Sequence, residues 1–243
     1  MIKSEIVRVR EWVLPFSLVF VPTAYPTMHS CPSSTPDRIP NLGAVVLCGG
    51  HSSRMGVDKA SLLFQQRTFL DHLIERVGTV TAPIVVVGGD RSILKERLPH
   101  VIFATDKYLD CGPLEGIRVG LDQLSGQVEF AFVTGCDAPL IRPSVIARLF
   151  QLIGDHQAIM PKTGAQIYGL TSIYRTDIVG LIEAEIQAGR LRVKGLAEIL
   201  RTKLLDGEEL RSLDPQLDSL RNINTPHDYQ QLLQRLDETS TEH

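Results

Sequence analysis

Short apolar runs alternate with amphipathic stretches along most of the chain after residue 43. The apolar runs hold four or five residues each, a length typical of strands that are buried on both faces of a sheet. The stretches between them repeat their apolar residues at helical spacing, which predicts amphipathic helices. The predicted strands are 44–48, 84–87, 101–104 and 130–133, and the predicted helices are 68–80, 92–98, 114–124 and 143–153.

The rhythm changes after residue 153, where strand-like runs and polar turns follow one another more closely. Thr176 is the expected cap of one helix, and Gly189 is its expected end. Before the last helix, Thr225, Pro226 and Asp228 form a pattern typical of a capping box. The predicted strands here are 158–160, 167–174, 203–205 and 220–223, and the predicted helices are 177–187, a short one ending at residue 200, and 229–236.

This pattern predicts a single Rossmann-like α/β domain with a mostly parallel sheet covered by helices on both faces. The runs after residue 153 predict a short antiparallel addition in the C-terminal half. In sheets of this kind, ligands bind beyond the carboxyl ends of the strands. The loops expected at that edge are 49–59, 88–90, 106–112 and 135–137.

The first 42 residues differ in composition from the rest of the chain. They contain six of the 14 prolines, and basic residues precede an apolar run at 12–25, as in a signal peptide. Glu5, Glu11 and the internal prolines weaken that interpretation, and the run is too short to span a bilayer. We therefore predict a poorly ordered extension over 1–42, a domain over 43–237 and a frayed tail over 238–243.

The overall charge limits the partners that the chain can bind. Its 243 residues are 43% hydrophobic and 22% charged, as in an ordinary globular protein, and its net charge is −3. This charge argues against a general binder of nucleic acid or of anionic membranes, so a phosphate site must be a local positive pocket. Four cysteines without paired spacing predict a reduced, cytoplasmic setting.

The loop after the first strand has the composition of a phosphate-binding site. It carries three glycines and two serines together with Arg54 and Lys59. Glycines let the backbone approach a ligand closely, successive N–H groups form a nest for anions, and the two cations add positive charge. The spacing matches neither G-x-x-x-x-G-K-[ST] nor G-x-G-x-x-G. A glycine-rich surface turn is the alternative interpretation.

Acidic and amide side chains follow other predicted strands at the same edge. Asp137 comes after the fourth strand, where a carboxylate suits Mg²⁺, with capping of the next helix as the alternative. Asp106 and Asp110 follow the third strand, and each is a candidate acceptor for a ribose hydroxyl or a base N–H, or a solvated loop residue. Asn224 offers a neutral oxygen to a cation because Thr225 supplies the predicted cap. In the absence of an obvious nucleophile, these groups favour phosphoryl or nucleotidyl transfer by positioning and charge neutralisation.

Four short motifs carry a resemblance to a known family. Residues 47–59 read L-C-G-G-x-S-x-R-M-G-x-D-K, and residues 112–116 read G-P-L-x-G. Residues 136–139 read C-D-x-P, and residues 222–226 read N-x-N-T-P. Each motif is weak alone, but four in this order resemble the MobA-type nucleotidyltransferases that build molybdenum cofactors. The resemblance covers residues 43 to about 235.

The resemblance implies a GTP-dependent reaction, in which the terminal phosphate of molybdenum-bearing molybdopterin attacks the α-phosphorus of GTP and pyrophosphate is released. It also implies Mg²⁺ as the metal cofactor, and transient contacts with molybdopterin-handling proteins and target molybdoenzymes. The implied catalytic residues are Lys59, Asp137 and Arg54. The implied nucleotide contacts are Leu47, Cys48, Gly49, Gly50, Lys59, Asp106 and Asp137, and the implied metal ligands are Asp137 and Asn224.

Some positions depart from the family pattern. Cys48 stands where alanine is usual, and Gly88 stands where some members carry asparagine. Residues 165–170 lack a proline that is common in the family, in the half of the chain expected to contact the pterin.

Two alternatives to guanylyl transfer stay open. A cytidylyltransferase acting on molybdopterin or on another phosphorylated acceptor shares the same loop pattern. A non-catalytic nucleotide-binding protein that delivers the cofactor is an alternative of another class. The basic residues Arg190, Arg192 and Lys194 are candidates for binding the pterin phosphate, and a solvated helix start explains them equally well.

Overall fold

The structure, a computed structural model, describes residues 38–48, 62–64, 67–88, 98–106 and 111–240, all within one compact unit. The strands are β1 Leu42–Leu47, β2 Leu63–Phe64, β3 Arg67–Thr68, β4 Ile84–Val87, β5 Val101–Ala104, β6 Phe130–Gly135, β7 Ala158–Thr163, β8 Gln166–Ile167, β9 Thr171–Arg175 and β10 Thr202–Asp206. The helices are α1 Phe69–Gly78, α2 Gly112–Leu124, α3 Pro143–Ile153, α4 Val179–Gln187, α5 Leu196–Ile199 and α6 Pro226–Ser240. Most of the predicted helix 92–98, and most of the predicted extension over 1–42, lie outside the described residues.

Eight strands form one open sheet in the order β10-β7-β9-β6-β1-β4-β5, with β8 paired to β7. Strands β1, β4, β5 and β6 are parallel neighbours, and β7 and β10 run in the same direction. Strand β9 is antiparallel to both β6 and β7, and β8 is antiparallel to β7. The structure thus confirms a mostly parallel sheet with an antiparallel addition in the C-terminal half.

The sheet is covered on both faces because successive residues of each strand point to opposite sides. Ala44 and Val46 of β1 belong to a buried cluster with α1 and α3. Val45 and Leu47 belong to a second buried cluster with α2 and α4. The continuous apolar strands predicted from the sequence therefore reflect two cores, one on each face.

Helix α2 packs closely on β1 through glycines one helical turn apart. A Cβ at Gly120 would overlap the side chain of Val45, and one at Gly116 would lie 2.9 Å from Cδ2 of Leu47. Gly116 and Gly120 are therefore needed for the close approach of this helix to the central strand, which places the start of α2 beside the end of β1.

We expect Gly120→Ala to lower the free energy of unfolding by about 1–3 kcal/mol, because its methyl group overpacks the contact with Val45. Gly180→Ala in α4 is the matched control, since a Cβ there meets no atom within 4 Å. It should raise the free energy of unfolding by up to about 1 kcal/mol through helix propensity. Urea unfolding of both variants measures these changes. Equal changes in the free energy of unfolding would show that the α2–β1 contact is loosely packed.

Around α4, two local predictions differ from the structure and a third is confirmed. The predicted strand 167–174 is divided into β8 and β9 by a turn. Thr176 does not cap α4, because its hydroxyl donates to the carbonyl of Val128 at 2.7 Å and a 3-10 turn, Thr176–Ile178, precedes the helix. Gly189 does follow α4 in the left-handed region, with φ of 73°, as expected for a helix end.

The predicted strand 220–223 is wrong. A 3-10 helix, Asp218–Leu220, leads into irregular backbone there. The fully buried carboxylate of Asp214 accepts a hydrogen bond from the N–H of Ser219 at 2.7 Å and pairs with Arg142 at 3.3 Å. These two interactions of a buried carboxylate fix a turn at 214–219. Because of this turn, the segment 220–223 does not join the sheet.

The last helix begins at Pro226, directly after the predicted cap and three residues before the predicted start at residue 229, and it continues to Ser240, beyond the predicted end at residue 236. Thr225 Oγ1 accepts from the N–H of Asp228 at 3.1 Å, and Asp228 Oδ2 accepts from the N–H of Thr225 at 2.8 Å. This reciprocal pair is the predicted capping box. Neither this helix nor any other in the described part of the chain is long and apolar enough to cross a membrane.

Candidate active site

Four parallel strands end in one row at the carboxyl edge of the sheet. Leu47 at the end of β1 lies in register with Gly135 of β6 and with Val87 of β4. The ladder continues past the strand ends, since Cys136 donates to the Leu47 carbonyl at 2.9 Å and Cys48 donates to the Val87 carbonyl at 2.7 Å. The loops that follow these strands therefore leave from the same edge, as predicted.

Asp137 is held against the end of β6. A Cβ on Gly135 would lie only 2.5 Å from Oδ1 of Asp137, so the carboxylate folds back over the glycine. The Asp137 backbone carbonyl accepts a hydrogen bond from Ile223 at 2.8 Å. The side chain is half-buried. A glycine beneath it and a backbone bond beside it thus position this carboxylate.

Asp106 approaches the same strand from the other side. Its Oδ1 and Cδ2 of Leu47 both lie within 4 Å of the place where a Cβ on Gly116 would stand. The carboxylate therefore lies close to the end of β1, beneath the first turns of α2. The side chain of Leu47 packs toward α2, and its carbonyl accepts the hydrogen bond from Cys136.

Both carboxylates lie on one face of the sheet. Gly135 is in register with Leu47, so a side chain there would point to the α2 face, where the Asp137 carboxylate is found. Asp106 contacts α2 on that same face. The end of β1 thus has an acidic side chain on each side. Gly49, Gly50, Arg54 and Lys59, which follow β1 in the chain, lie outside the described residues, as does Asp110.

A buried ion pair lies next to Asp106. Arg118 donates two hydrogen bonds, of 2.7 and 2.9 Å, to the carboxylate of Glu115 one turn earlier in α2, and both side chains are almost fully buried. Burial, and then the negative charge of Glu115, raise the pKa of Asp106 above its ordinary value. Asp106 is therefore more easily protonated than a typical surface aspartate.

We expect nucleotide affinity to fall as the pH is lowered, beginning at a higher pH than an ordinary aspartate would give. The raised pKa of Asp106 makes its carboxylate take up a proton early, and the protonated group is a poorer acceptor for a nucleoside hydroxyl or N–H. Titration calorimetry at a series of acidic pH values should show this early loss of affinity in the native protein and not in Asp106→Asn. Parallel pH profiles of the two proteins would mean that Asp106 does not contact the nucleoside.

Helix α2 begins at this edge with Gly112 in the left-handed region, at φ of 62°. The Cys111 side chain makes no capping hydrogen bond, and Pro113 has no N–H to satisfy. The positive end of the helix dipole therefore lies at this edge near Asp106, where it favours a negatively charged ligand, although Glu115 in the first turn offsets part of it.

Gly88, one of the departures from the family pattern, has a backbone conformation that suits glycine. Its φ is 105°, a conformation that side chains with a Cβ rarely adopt, and its N–H donates to the Ala104 carbonyl at 3.1 Å. The backbone conformation at this position therefore favours glycine.

A cavity of about 310 Å³ opens beside the start of α2. Its walls come from the β8–β9 turn, the segment before α5, the first turn of α2 and the residue preceding Ile223. The residues that line it include Pro113, Tyr168, Gly169, Arg192, Lys194 and Asn222. Because Ile223 donates to Asp137, this cavity adjoins the carboxylate site.

The wall of the cavity is built by close contacts. A Cβ on Gly169 would lie 2.5 Å from Cγ1 of Val193, so the β8–β9 turn presses on the basic segment. Buried Tyr174 donates its hydroxyl to the Gly169 carbonyl at 2.8 Å and fixes the turn from below. The cavity is therefore a formed part of the fold.

The three basic candidates of this region separate into two groups. Arg192 and Lys194 line the cavity, and neither forms an ion pair with another described residue. Arg190 instead forms a two-bond pair with Glu185 at 2.6 and 2.7 Å. Only Arg192 and Lys194 are thus in position to meet a phosphate in the cavity.

The sequence did not identify the role of Gly135, Tyr168 or Gly169. Gly135 lies two residues before Asp137, a predicted metal ligand, and only the fold shows that the missing side chain of Gly135 makes room for the Asp137 carboxylate. Tyr168 and Gly169 lie in a turn that the sequence assigns to one continuous strand. A glycine inside a predicted strand was the available signal for a break there.

The chain matches the model of the MobA-like NTP transferase domain over residues 44–206. A protein of Methanosarcina mazei named probable molybdenum cofactor guanylyltransferase is 31% identical over 203 residues, covering 78% of this chain and 89% of the relative. A molybdenum cofactor guanylyltransferase of Desulfosudis oleivorans is 31% identical over 183 residues, covering 74% of this chain and 89% of the relative.

The fold is also similar to solved structures. Molybdopterin-guanine dinucleotide biosynthesis protein A from Archaeoglobus fulgidus superposes with a TM-score of 0.69 over 81% of this chain and 99% of that chain, at 22% identity. A nucleotidyl transferase from Methanothermobacter gives a TM-score of 0.63 at 18% identity, over 82% of this chain and 98% of that chain. At these identities the likeness establishes the fold.

Proposed function

Because the chain belongs to the family of MobA-like NTP transferase domains, we propose that it transfers GMP from GTP to the terminal phosphate of molybdenum-bearing molybdopterin. The products are the guanine dinucleotide cofactor and pyrophosphate. Relatives that are about one-third identical carry the name of this activity, and the chain covers 89% of the length of each of the two described above. The arrangement of Asp106 and Asp137 around the end of β1 is the observation that carries the proposal.

The two carboxylates suit opposite ends of one nucleotide. Asp106 lies under α2, where an acceptor of hydrogen bonds can hold the nucleoside. Asp137 lies across β1, next to the strand end from which the glycine-rich loop leaves. The nucleotide then extends over the end of β1, with Arg54 and Lys59 of that loop on its phosphates. Leu47, Cys48, Gly49 and Gly50 would contact it from below.

We further propose that Mg²⁺ binds at Asp137, with Asn224 as a second oxygen ligand. The residues fit this ion, because Asp137 is a positioned carboxylate and the backbone bond from Ile223 brings the Asn224 segment beside it. Mg²⁺ commonly takes one or two protein oxygens and completes its shell with phosphate and water. When bound, it neutralises charge on the triphosphate and on the leaving pyrophosphate.

The reaction needs positioning more than it needs a protein nucleophile. A phosphate oxygen of the acceptor attacks the α-phosphorus of GTP in line with the bridge to the β-phosphate. The new phosphoanhydride bond forms as the α–β bridge breaks, and its electron pair leaves with pyrophosphate. The chain contributes a nucleotide fixed between Asp106 and Asp137, and cations near the developing charge.

The acceptor is proposed to occupy the cavity beside α2. The cavity adjoins Asp137 through Ile223, and Arg192 and Lys194 supply positive charge for a phosphate. The first turn of α2 forms another wall through Pro113, so the acceptor phosphate lies toward the α-phosphate of the nucleotide.

We expect the double variant Arg192→Ala/Lys194→Ala to raise the KM for molybdopterin by about 30–1,000-fold, since it removes two charge-assisted bonds that contribute roughly 1–2 kcal/mol each. The KM for GTP should stay within about twofold. Arg190→Ala, which removes a cation already paired with Glu185, is the matched control and should leave both constants unchanged. A double variant with a normal KM for molybdopterin would exclude this cavity as the acceptor site.

Product analysis tests the proposal as a whole. The protein is incubated with Mg²⁺, molybdenum-bearing molybdopterin and either GTP or CTP, and pyrophosphate and dinucleotide are measured. We expect turnover with GTP. Turnover with CTP alone would make the protein a cytidylyltransferase, and nucleotide binding without turnover would favour a delivery protein. The same proposal locates the protein in the cytoplasm, where it would meet molybdopterin-handling proteins and target molybdoenzymes.

A further inference from the structure

Two cysteines lie side by side at the carboxyl edge of the sheet. Leu47 and Gly135 are partners in the parallel ladder of β1 and β6, and Cys48 and Cys136 directly follow them. The N–H of Cys136 donates to the Leu47 carbonyl at 2.9 Å, so the ladder still holds at this position. Cys48, the residue after β1, bonds to the strand on its other side, since its N–H donates to the Val87 carbonyl of β4 at 2.7 Å. Cys136, the residue after β6, begins a turn in which the N–H of Ala138 donates to the Gly135 carbonyl at 3.2 Å. The two cysteines are therefore neighbours across the sheet.

Their side chains point to the same face. Alternate residues of β1, Ala44 and Val46, share a buried cluster with Cys48. Phe132 of β6 shares that cluster with Cys136. Neighbouring strands are about 4.8 Å apart, and disulfide-bonded cysteines have Cα separations of roughly 4.4–6.8 Å. The Cα spacing of neighbouring strands lies in the disulfide range and both side chains face one cluster, so the two sulfurs can bond once the strand ends move slightly together.

We propose that Cys48 and Cys136 form a redox-active dithiol that a low-molecular-weight disulfide oxidises to an intramolecular disulfide. One thiolate attacks the small disulfide and releases one of its thiols. The second cysteine then displaces the other thiol, forming the Cys48–Cys136 bond. Both cysteines lose their protons and two electrons pass to the small disulfide, which becomes two thiols. Disulfides formed in a reducing compartment are commonly transient and redox-sensing, as this one would be.

Oxidation at this position changes the nucleotide site, a consequence that rests on the proposed function. Cys48 immediately precedes the glycine-rich loop, and Cys136 immediately precedes Asp137. A disulfide brings the two Cβ atoms to about 3.8 Å, closer than strand spacing allows, so the strand ends must move together. The bond therefore shifts both the loop and the Asp137 carboxylate, and nucleotide affinity falls.

Access to the pair is narrow. Cys48 is 7% exposed and Cys136 is 9% exposed, and Cys111 at the start of α2 is more accessible than either. A small disulfide such as oxidised glutathione is thus a suitable probe, and the more accessible Cys111 has to be replaced so that it does not react in place of the pair.

The test uses the full chain with Cys31→Ser and Cys111→Ser, which leaves two of its four cysteines. After incubation with oxidised glutathione, the protein is alkylated, digested and mapped by mass spectrometry. We expect a peptide linked through Cys48 and Cys136, a mass lower by about 2 Da, and full reversal by dithiothreitol. GTP affinity, measured by calorimetry, should be at least about tenfold weaker in the oxidised form. Adding Cys136→Ala should abolish both changes.

Unlinked peptides after oxidation, or glutathione retained on one cysteine, would overturn the proposal. A linked peptide with unchanged GTP affinity would overturn it as well, because the bond would then not act on the nucleotide site. A reduced protein that binds no GTP would instead contradict the proposed function, and the peptide map tests the dithiol independently of that result.

Discussion

Asp137→Ala should lower kcat/KM for guanylyl transfer by at least about 1,000-fold, equivalent to about 4 kcal/mol of transition-state stabilisation. The carboxylate is positioned by Gly135 and by the bond from Ile223, and no other carboxylate in the described residues shares that position. Its removal takes away the proposed holder of Mg²⁺ beside the triphosphate, where charge develops as pyrophosphate leaves. Steady-state kinetics with GTP and molybdopterin measure the loss.

The fold should tolerate this change. Asp137 is half-buried, and the bond from Ile223 goes to its backbone carbonyl, which alanine keeps. We expect a thermal midpoint close to that of the native protein. Asp122→Ala, which removes an exposed carboxylate from α2, is the control for a change of charge. A collapsed melt for Asp137→Ala would make the residue structural, and full activity would exclude it from the site.

Gly135→Ala should lower kcat/KM by about 100-fold although it changes no polar group. Its Cβ would lie 2.5 Å from Oδ1 of Asp137, so the carboxylate has to move away. A displacement of about 1 Å in a positioned group costs on the order of 100-fold in rate. Stability should change little, because the atom that must move is the end of a half-exposed side chain.

A double-mutant cycle identifies the cause of that loss. If Gly135→Ala acts by displacing Asp137, it should have no further effect on activity in the Asp137→Ala background. Gly180→Ala, which meets no neighbour within 4 Å, should not affect activity in either background. Additive losses from Gly135→Ala and Asp137→Ala would show that the glycine serves another purpose.

The sequence predicted the parts of the fold that depend on local pattern. Runs such as Ile84–Val87 are apolar throughout because both faces of that strand are buried, and such runs identify parallel strands. The capping box at Thr225 and Asp228 is a contact between residues three apart, so its signature is readable in the chain. The resemblance of the motifs to MobA-type nucleotidyltransferases is confirmed by the match over residues 44–206.

Contacts between segments that are distant in the chain could not be predicted from the sequence pattern. The segment 220–223 has an apolar residue at each end, but the buried Asp214 fixes a turn before it, and the N–H of Ile223 donates to the Asp137 carbonyl instead of to a strand. Nothing local connects residues 86 positions apart. The separation of Arg190 from Arg192 and Lys194 similarly depends on Glu185, which lies on the preceding helix.

The candidate site shows the same division. Asp106 and Asp137 were predicted because each follows a buried strand, and the structure brings both to the end of β1 on one face. Their roles in binding nucleotide and Mg²⁺ stay predictions, as do those of Leu47, Cys48 and Asn224. Arg54, Lys59, Gly49 and Gly50 lie outside the described residues, and their roles stay predictions that rest on the motif.

A crystal structure of the protein with Mg²⁺ and a non-hydrolysable GTP analogue tests the central claim most directly. The account predicts guanosine beside Asp106, the triphosphate over the end of β1, and the metal on Asp137. A second cavity, of about 260 Å³, lies at the opposite edge of the sheet, where Arg38 and His100 line it. Nucleotide bound there, or anywhere away from Asp137, would contradict the account.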